Sequence, residues 1–541
     1  MYSFDPDRLA KLEALRAEGQ NPYPSMPAGA ETPASSAALR DEVAAVLTGA
    51  AVPFSVVDGR LTLTPAESAE PRKAMAALAE RANVALATAG VPDRWYGGRV
   101  MFKNEMGKAG FARVVSRDGR FQVYVRENVL GADFAAWKAI DLGDQLLVFG
   151  TPMFTRAGEL TVGGRGAVDG LTDVDKAREQ SVARLLLVGK CIKSLPDKWH
   201  GIEDAELRRR QRYLDLFVND ASRDTFVKRS RIVRYVREFF EARGYLEVET
   251  PMMHAIPGGA TARPFVTHHN ALDMELFLRV APELYLKRLI VGGLERVFEI
   301  NRNFRNEGID ATHNPEFTML EFYQAYATWE DLADLTEELI GGLVRAVCGG
   351  THVVFQGREI DFSGPFRRAG YDELVAEALG LPIAAVHDLA ALQAAIGAGA
   401  PRTIGKCWER VFDEKVEATL VNPTFVTRFP IEISPLARRN DAEPHLADRF
   451  ELFIAGREIA NAFTELNDPV DQAERFMAQV RAKDAGDEEA MHFDADYIEA
   501  LCYGMPPTAG EGIGIDRLVM LLTDTASIRD VILFPTLRSR G

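Results

Sequence analysis

Val297–Tyr323 reads VFEINRNFRNEGIDATHNPEFTMLEFY, two strand-like runs joined by a loop too polar to be a simple turn. Side chains alternate along a strand, so Phe298, Ile300 and Phe304 share one face of the first run. Glu299, Asn301, Asn303 and Arg305 share the other. In the second run Thr318, Leu320 and Phe322 face one way, while Phe317, Met319, Glu321 and Tyr323 face the opposite way. Each strand therefore has an apolar side for a core and a side crowded with charged, amide and aromatic groups. One arginine, two carboxylates, a tyrosine and a phenylalanine converge around a loop holding Glu307, His313 and Asn314. A hairpin with an ordinary solvated face would alternate in the same way. The stretch alone leaves both readings open, surface or wall of a site.

The rest of the chain narrows the choice. At 541 residues it is too long for one core, and two or three domains are expected. With 47% hydrophobic and 26% charged residues it has the composition of a soluble globular protein. No apolar run approaches membrane-spanning length. The opening MYSFDPDRLAKLEALRAEG carries early acids and no apolar segment, so it does not read as a secretion signal. Cys191, Cys348, Cys407 and Cys502 are far apart, which argues against a zinc site or disulfide framework and suits a reducing cytoplasm. The net charge of −16 disfavours indiscriminate nucleic-acid binding but leaves room for a local basic patch.

Such a patch lies after Trp95. Residues 7–18 form a short amphipathic helix, and 26–94 are rich in Ala and Pro, with helices expected near 36–48 and 70–89 and no visible chemistry. Then come short strands, YGGRVMF, GFARVV, FQVYVRE, DQLLVFGTPM and ELTVGG, several of them separated by Gly and Asp-Gly turns, as in a small antiparallel barrel. Between Arg94 and Asn128 eight Lys or Arg stand against three Asp or Glu. Exposed aromatics among cations on such a barrel suit single-stranded nucleic acid, and buried aromatics under a solvated basic face would read the same. Residues 166–184 read as an inserted loop and 198–213 as a basic connector. A long helix at about 221–243, a strand at Tyr245–Glu249 and a helix starting at Pro282 lead into the opening hairpin. Residues 330–420 read as mostly helical, and 424–435 return to strand.

Two later stretches supply further chemistry. Phe450–Leu466, FELFIAGREIANAFTEL, reads as a hairpin turning at Ala455-Gly456, which sets Glu451 and Glu458 diagonally across the pair on one face. Two carboxylates so placed repel unless a divalent cation, here Mg²⁺, sits between them; plain surface charge is the other reading. Gly510–Leu522, GEGIGIDRLVMLL, places Gly510, Gly512 and Gly514 at every second position and Arg517 in the first turn of a helix. A flat nucleotide ring on a glycine floor beneath a guanidinium accounts for both, and tight helix packing would account for the glycines alone.

Taken together these residues resemble the class II aminoacyl-tRNA synthetases, most closely the bacterial-type lysyl-tRNA synthetases. The resemblance runs through YLEVETPMM, IPGGATARPF, APELYLKR, FEINRNFRNEG, HNPEFTMLEFY, ISPLARRND, GREIANAFTELNDP, AKDAGDEEAM and PPTAGEGIGIDRLVMLL. It covers about 198–541 almost continuously and 95–165 more loosely. It implies an α+β fold: a six-stranded antiparallel sheet flanked by helices over 198–541, an OB-fold anticodon-binding barrel over 95–197, and a helical extension over 1–94. It implies a homodimer built largely on residues 221–251, no membrane association, and the substrates ATP, L-lysine and tRNA-Lys, with Mg²⁺ as cofactor.

Roles follow position by position from the same resemblance. Arg305 matches the arginine on the α-phosphate and substrate carboxylate, Phe317 the ring under adenine, and Arg517 the guanidinium above it. Glu307, His313, Asn314 and Gly514 match positions around ATP, and Glu451 with Glu458 the metal pair. Glu321, Tyr323 and Glu465 match the receptor for the lysine side chain, Glu283 and the Gly259 backbone that for its α-amine, and Asn461 a neighbour of its carboxylate. Independently of the resemblance, carboxylates and a phenol are what a buried ammonium requires, whereas a site for aspartate would need an added cation. In the barrel, Phe111, Gln122 and Glu159 match anticodon-contacting positions. Residues 26–94 and 166–184 depart from the family pattern. Strict alternation puts Asn461 and Glu465 opposite Glu458, so a shared pocket predicts a bulge between 458 and 461. A paralogue that lysylates a protein would lack the barrel, and a non-catalytic tRNA-binding relative would be expected to lose Arg305, Glu451, Glu458 or Arg517.

Overall fold

The computed structural model describes residues 4–26, 32–57, 60–164, 181–196, 202–486 and 490–539. The chain forms two compact units, Met1–Gly201 and Ile202–Gly541. Most of the inserted loop expected at 166–184 lies outside the described residues, as do 198–201 of the expected connector. No helix among the described residues is long and apolar enough to cross a membrane.

In the first unit, Asp5 caps helix α1 (Pro6–Ala17) by accepting from the Asp7 amide at 3.1 Å. Helices α2 (Ser36–Gly49) and α3 (Pro71–Thr88) turn apolar stripes inward, Leu39, Val43 and Leu47 on one and Leu78, Ala82 and Leu86 on the other. These stripes share one core with Tyr96, Val100, Val123 and Val125, so residues 6–94 do not stand apart from the strands that follow. A hairpin, Phe54–Val57 with Arg60–Leu63, lies between the two helices and was not foreseen. Six strands come next: β1 (Arg94–Met106), β2 (Ala109–Ser116), β3 (Gly119–Arg126), β4 (Gln145–Phe154), β5 (Leu160–Gly163) and β6 (Arg184–Gly189). They pair in the order β1-β2-β3-β5-β4-β6, and β1 also pairs with β4. The first five thereby close on themselves as a small barrel, with β3 and β5 parallel.

The second unit is built on one sheet. Its strands are β7 (Leu246–Glu247), β8 (Arg296–Phe304), β9 (Glu316–Ala325), β10 (Arg367–Gly370), β11 (Thr424–Pro430), β12 (Leu446–Phe453), β13 (Glu458–Thr464) and β14 (Thr508–Gly514). The spatial order is β10-β11-β12-β13-β14-β9-β8-β7. The inner six are antiparallel throughout. The expected six-stranded sheet is thus extended at each edge by a short parallel strand, β7 on β8 and β10 on β11. Helices α4 (Asp220–Glu241), α6 (Trp329–Cys348) and α8 (Ile515–Leu522) cover one face, with α5 (Glu283–Val291) and α7 (Ala495–Cys502) elsewhere in the unit. Under the first three, Phe298, Leu320, Phe322, Ala460, Ala462 and Ile513 are buried together with Phe240, Ile340 and Val519. The opposite face of the sheet is left for chemistry.

Residues 330–420 are mostly helical, as expected, with one interruption: Gly349, at φ 78°, ends α6, and a hairpin (His352–Phe355 with Arg358–Asp361) and β10 follow before helices resume. In the basic connector two arginines are held by carboxylates. Arg209 pairs with Asp530 at 2.8 Å, and the buried Arg212 pairs with Asp215 at 2.6 Å.

Candidate active site

The hairpin β8–β9 aligns Phe298 with Phe322 and Glu299 with Glu321. Leu320 and Phe322 enter the core, while Phe317, Met319, Glu321 and Tyr323 line a cavity of 440 Å³. On β8 the matching face contributes less than its alternation suggested. Of its four polar residues only Arg305, just past the strand end, reaches the cavity. Glu299 is turned to the buried Arg279, 2.7 Å away, and accepts from the Thr250 hydroxyl.

The cavity has two ends. At the first, Arg305, Glu307, His313, Asn314, Phe317, Glu458, Gly514 and Arg517 come together. The Arg305 guanidinium lies 5.1 Å from the Phe317 ring centre, and its buried Nε has no hydrogen-bond partner among the described residues. Burial holds its pKa below the usual arginine value against the pull of Glu307 and Glu458. Arg517 donates to the Glu458 carbonyl oxygen at 2.8 Å and lies 3.3 Å from the Glu458 carboxylate. His313 Nε2 lies 3.3 Å from Arg517, and its Nδ1 is 2.8 Å from Asp310. Asn314 donates its amide to the Glu316 carbonyl, leaving a buried Oδ1 with no donor among the described residues.

The β12–β13 hairpin places the two carboxylates. Ala455 and Gly456 both adopt positive φ, 56° and 68°, the two-residue turn expected of this pair. Phe453 pairs with Glu458 but Leu452 with Ala460, so Ile459 is an extra residue. Ile459 and Ala460 both enter the core, and Glu458 and Asn461 consequently share the cavity face. This is the bulge that alternation demanded. The two glutamates are not unpaired, however: Arg449 pairs with Glu451 and Arg517 with Glu458. Even so, burial pushes the Glu451 carboxyl up to about 7, with Glu458 adding to the rise against the pull of Arg449. A carboxylate that its arginine leaves incompletely compensated, with a second one nearby, fits a divalent cation sharing phosphate oxygens. Among the described residues no cluster of three or more metal-ligating side chains occurs.

The second end is closed and acidic. Gly259, at φ 89°, packs against Glu283, where a Cβ would stand 3.1 Å from that of Glu283. Glu283 opens helix α5, the end at which helix dipoles favour an anion. The Tyr323 hydroxyl donates to Glu321 at 2.8 Å. Burial, reinforced by Glu283, still pushes the Glu321 carboxyl up to about 8. Glu465 is 1% exposed and lies behind the cavity wall rather than on it. A Cβ at Gly510 would collide with the Tyr323 ring and the Glu465 carboxylate, and one at Gly512 would stand 2.8 Å from Met319. Only Gly514 would meet no more than ordinary contacts, the nearest at 3.7 Å. Two of the three alternating glycines therefore make room for side chains, and the open floor is confined to Gly514.

Two arginine- or lysine-based features were not read from the sequence. Lys287 is fully buried and ion-pairs with both Glu283 and Glu465. Arg449 donates to Asn461 at 3.1 Å and to the Ser434 hydroxyl at 2.9 Å, fixing Asn461 at the cavity edge. The signals were present as spacings: Lys287 is four residues after Glu283 on a helix, and Arg449 two before Glu451 on a strand.

On the barrel, the Phe111 and Tyr124 rings lie 4.7 Å apart on adjacent strands. Gln122 donates to Glu159 at 3.0 Å and accepts from Thr161 at 2.8 Å, while Arg113, paired across from Gln122, is 3.7 Å from Glu159. The three expected anticodon positions thus occupy neighbouring places on the barrel, all half-buried.

Residues 204–538 match the model of the family described as tRNA synthetases class II (D, K and N). A lysine–tRNA ligase of Thioalkalivibrio sulfidiphilus is 54% identical over 453 residues, 82% of this chain and 86% of the relative. One from Carboxydothermus hydrogenoformans is 53% identical over 449 residues, covering 82% and 88%. One from Magnetococcus marinus is 48% identical over 542 residues, covering 99% of this chain and 97% of the relative. The chain belongs to the lysine–tRNA ligases of class II. In the Magnetococcus relative the similarity runs through residues 26–94 as well, the stretch of this synthetase that had departed from the family pattern.

Proposed function

We propose that this synthetase condenses L-lysine with ATP to lysyl-adenylate and pyrophosphate, then transfers the lysyl group to the 3′ end of tRNA-Lys. The observation that carries the reading is the closed acidic end, where Glu283, Glu321 and Tyr323 line the cavity and Glu465 backs it. A diamino acid supplies the two ammonium groups such a pocket needs. Lys287 does not offer itself to a substrate carboxylate, since two glutamates already hold its ammonium.

In this reading the α-amine of lysine pairs with Glu283 beside Gly259. The side-chain ammonium meets Glu321 and Tyr323, with Glu465 behind them, and the carboxylate lies toward Asn461 and Arg305. Adenine lies against Phe317 over Gly514, with Arg517 on its other side and Glu307, His313 and Asn314 around the nucleotide. Attack of the lysine carboxylate on the α-phosphorus builds negative charge on the phosphate oxygens. Arg305, whose Nε is buried and unpartnered, is placed to offset it. Glu451 and Glu458 would hold Mg²⁺, which when bound neutralises phosphate oxygens and the two carboxylates together. Phe111, Gln122 and Glu159 would read anticodon bases by stacking and hydrogen bonding.

Exposed Leu246, Met252 and Met253 beside the edge strand β7 support a second copy of the chain as partner, and sedimentation at micromolar concentration tests it. Four free cysteines suit a cytoplasmic location. The deciding assay is amino-acid-dependent exchange of pyrophosphate into ATP. Exchange with lysine, and not with aspartate or asparagine, is expected; tRNA binding without any exchange would overturn the proposal.

A further inference from the structure

Lys287 is the fully buried cation of the acidic end, and an isolated ammonium is costly to bury. It lies one helical turn after Glu283 on α5, and Glu465 approaches from just past the end of β13. Both carboxylates engage the same nitrogen, so their bonded oxygens can be no farther apart than two ion-pair lengths. The Phe463 ring lies 5.4 Å from that nitrogen. The Glu465 oxygen not paired with Lys287 has no hydrogen-bond partner among the described residues and faces Gly510, where a side chain is absent.

Glu283, Glu321 and Glu465 supply three negative charges when ionised, and Lys287 supplies one positive. The remainder is two negative charges, the number that the α- and side-chain ammonium groups of one diamino acid offset. We propose that Lys287 is a positioning residue for the amino-acid site. By tying the carboxylate at the α-amine end to the one at the side-chain end, it fixes the charge and length of the diamine accepted. This rests on the assignment of Glu283, Glu321 and Glu465 to lysine made above.

The surroundings support a charged Lys287. Burial works to remove its proton, but Glu283 and Glu465 outweigh burial and drive its pKa upward. Tyr497 faces it from α7 with a buried hydroxyl that has no hydrogen-bond partner among the described residues. Arg449 on β12 acts on Glu283; Tyr323 and Glu283 act on Glu321, as does Glu299, itself paired with Arg279. Without Lys287 the buried Glu283 and Glu465 would lose their shared cation and hold protons to higher pH.

The test uses Lys287→Met, close in length and apolar, in lysine-dependent pyrophosphate exchange. Expected are a rise of at least thirtyfold in KM for lysine and a KM for ATP within threefold of the parent. The rising limb of kcat/KM for lysine against pH should move at least one pH unit upward, so that alkaline pH partly restores activity. Preference for lysine over ornithine should fall at least tenfold. Should Lys287→Met not fold, Lys287→Arg keeps the charge and lengthens the tie: the pH limb stays in place while the lysine-to-ornithine ratio changes. An unchanged lysine KM and ratio, or equal losses for lysine and ATP at every pH, would overturn the proposal. Glu283→Gln and Glu465→Gln separate this from the underlying assignment. If neither raises the lysine KM, the pocket itself is misassigned; if both do while Lys287→Met is silent, only the positioning role fails.

Discussion

The two ends of the cavity solve opposite electrostatic problems. At the end proposed for the nucleotide the cations line the cavity, with Arg305 and Arg517 beside it and Glu458 already drawn to Arg517. At the end proposed for the amino acid three carboxylates gather around one hidden lysine, and burial dominates their ionisation. The first suits an anion, and ATP would bring several charges that a guanidinium can meet bidentately. The second suits cations, and its charges are poised by desolvation rather than by ion pairs alone. An anion site tolerates solvent because its ligand is strongly charged. An ammonium site gains selectivity by being dry, since a ligand lacking the charge leaves buried carboxylates unpaired.

The contrast can be broken at either end. Arg305→Ala removes the guanidinium with the freest side chain at the nucleotide end, and should cost about 3–4 kcal/mol in adenylate formation measured by pyrophosphate exchange, the cost of losing an oxyanion donor. A variant within threefold of the parent would move that role elsewhere. Glu321→Gln keeps the shape of the acidic end but removes an ionisable partner. It should cost about 2–3 kcal/mol in kcat/KM for lysine, the worth of a hydrogen bond to a charged group, with KM for ATP unchanged. A matching change in KM for ATP would mean that the two ends are not separable. Gln122→Ala lies on the barrel, in the other unit, and should lower tRNA charging by about 1 kcal/mol while sparing pyrophosphate exchange. Equal loss in both assays would show that the barrel does more than bind tRNA.

What could be read from the chain follows the same division. Strand alternation exposed Phe317, Met319, Glu321 and Tyr323 as one face because a period of two holds along a strand without a bulge. The bulge at Ile459 was legible for a different reason: Glu458, Asn461 and Glu465 could share a pocket only if one residue was looped out. The glycines of β14 were read as a floor for a ring, whereas the structure gives Gly510 and Gly512 to the side chains of Tyr323, Glu465 and Met319. Lys287 stayed hidden since a lysine after APELYL reads as the solvated side of a helix. Its burial is decided by Glu465 and Phe463, nearly two hundred residues away in sequence. Glu299 misled in the same way, since its partner Arg279 belongs to no local pattern. Period and spacing are local quantities, whereas the choice of counter-ion is tertiary.

The most direct test of an acidic end poised by desolvation is to count protons as lysine binds. Burial, reinforced by Glu283, pushes Glu321 up to about 8, so without a bound ammonium it is mostly protonated at pH 7. A bound ammonium favours the ionised carboxylate, so binding must expel that proton, and affinity must rise with pH until about 8. Calorimetric titration of lysine into the enzyme at pH 7, in buffers of differing ionisation enthalpy, should show net proton release that falls in Glu321→Gln. No release, or proton uptake, would contradict the account.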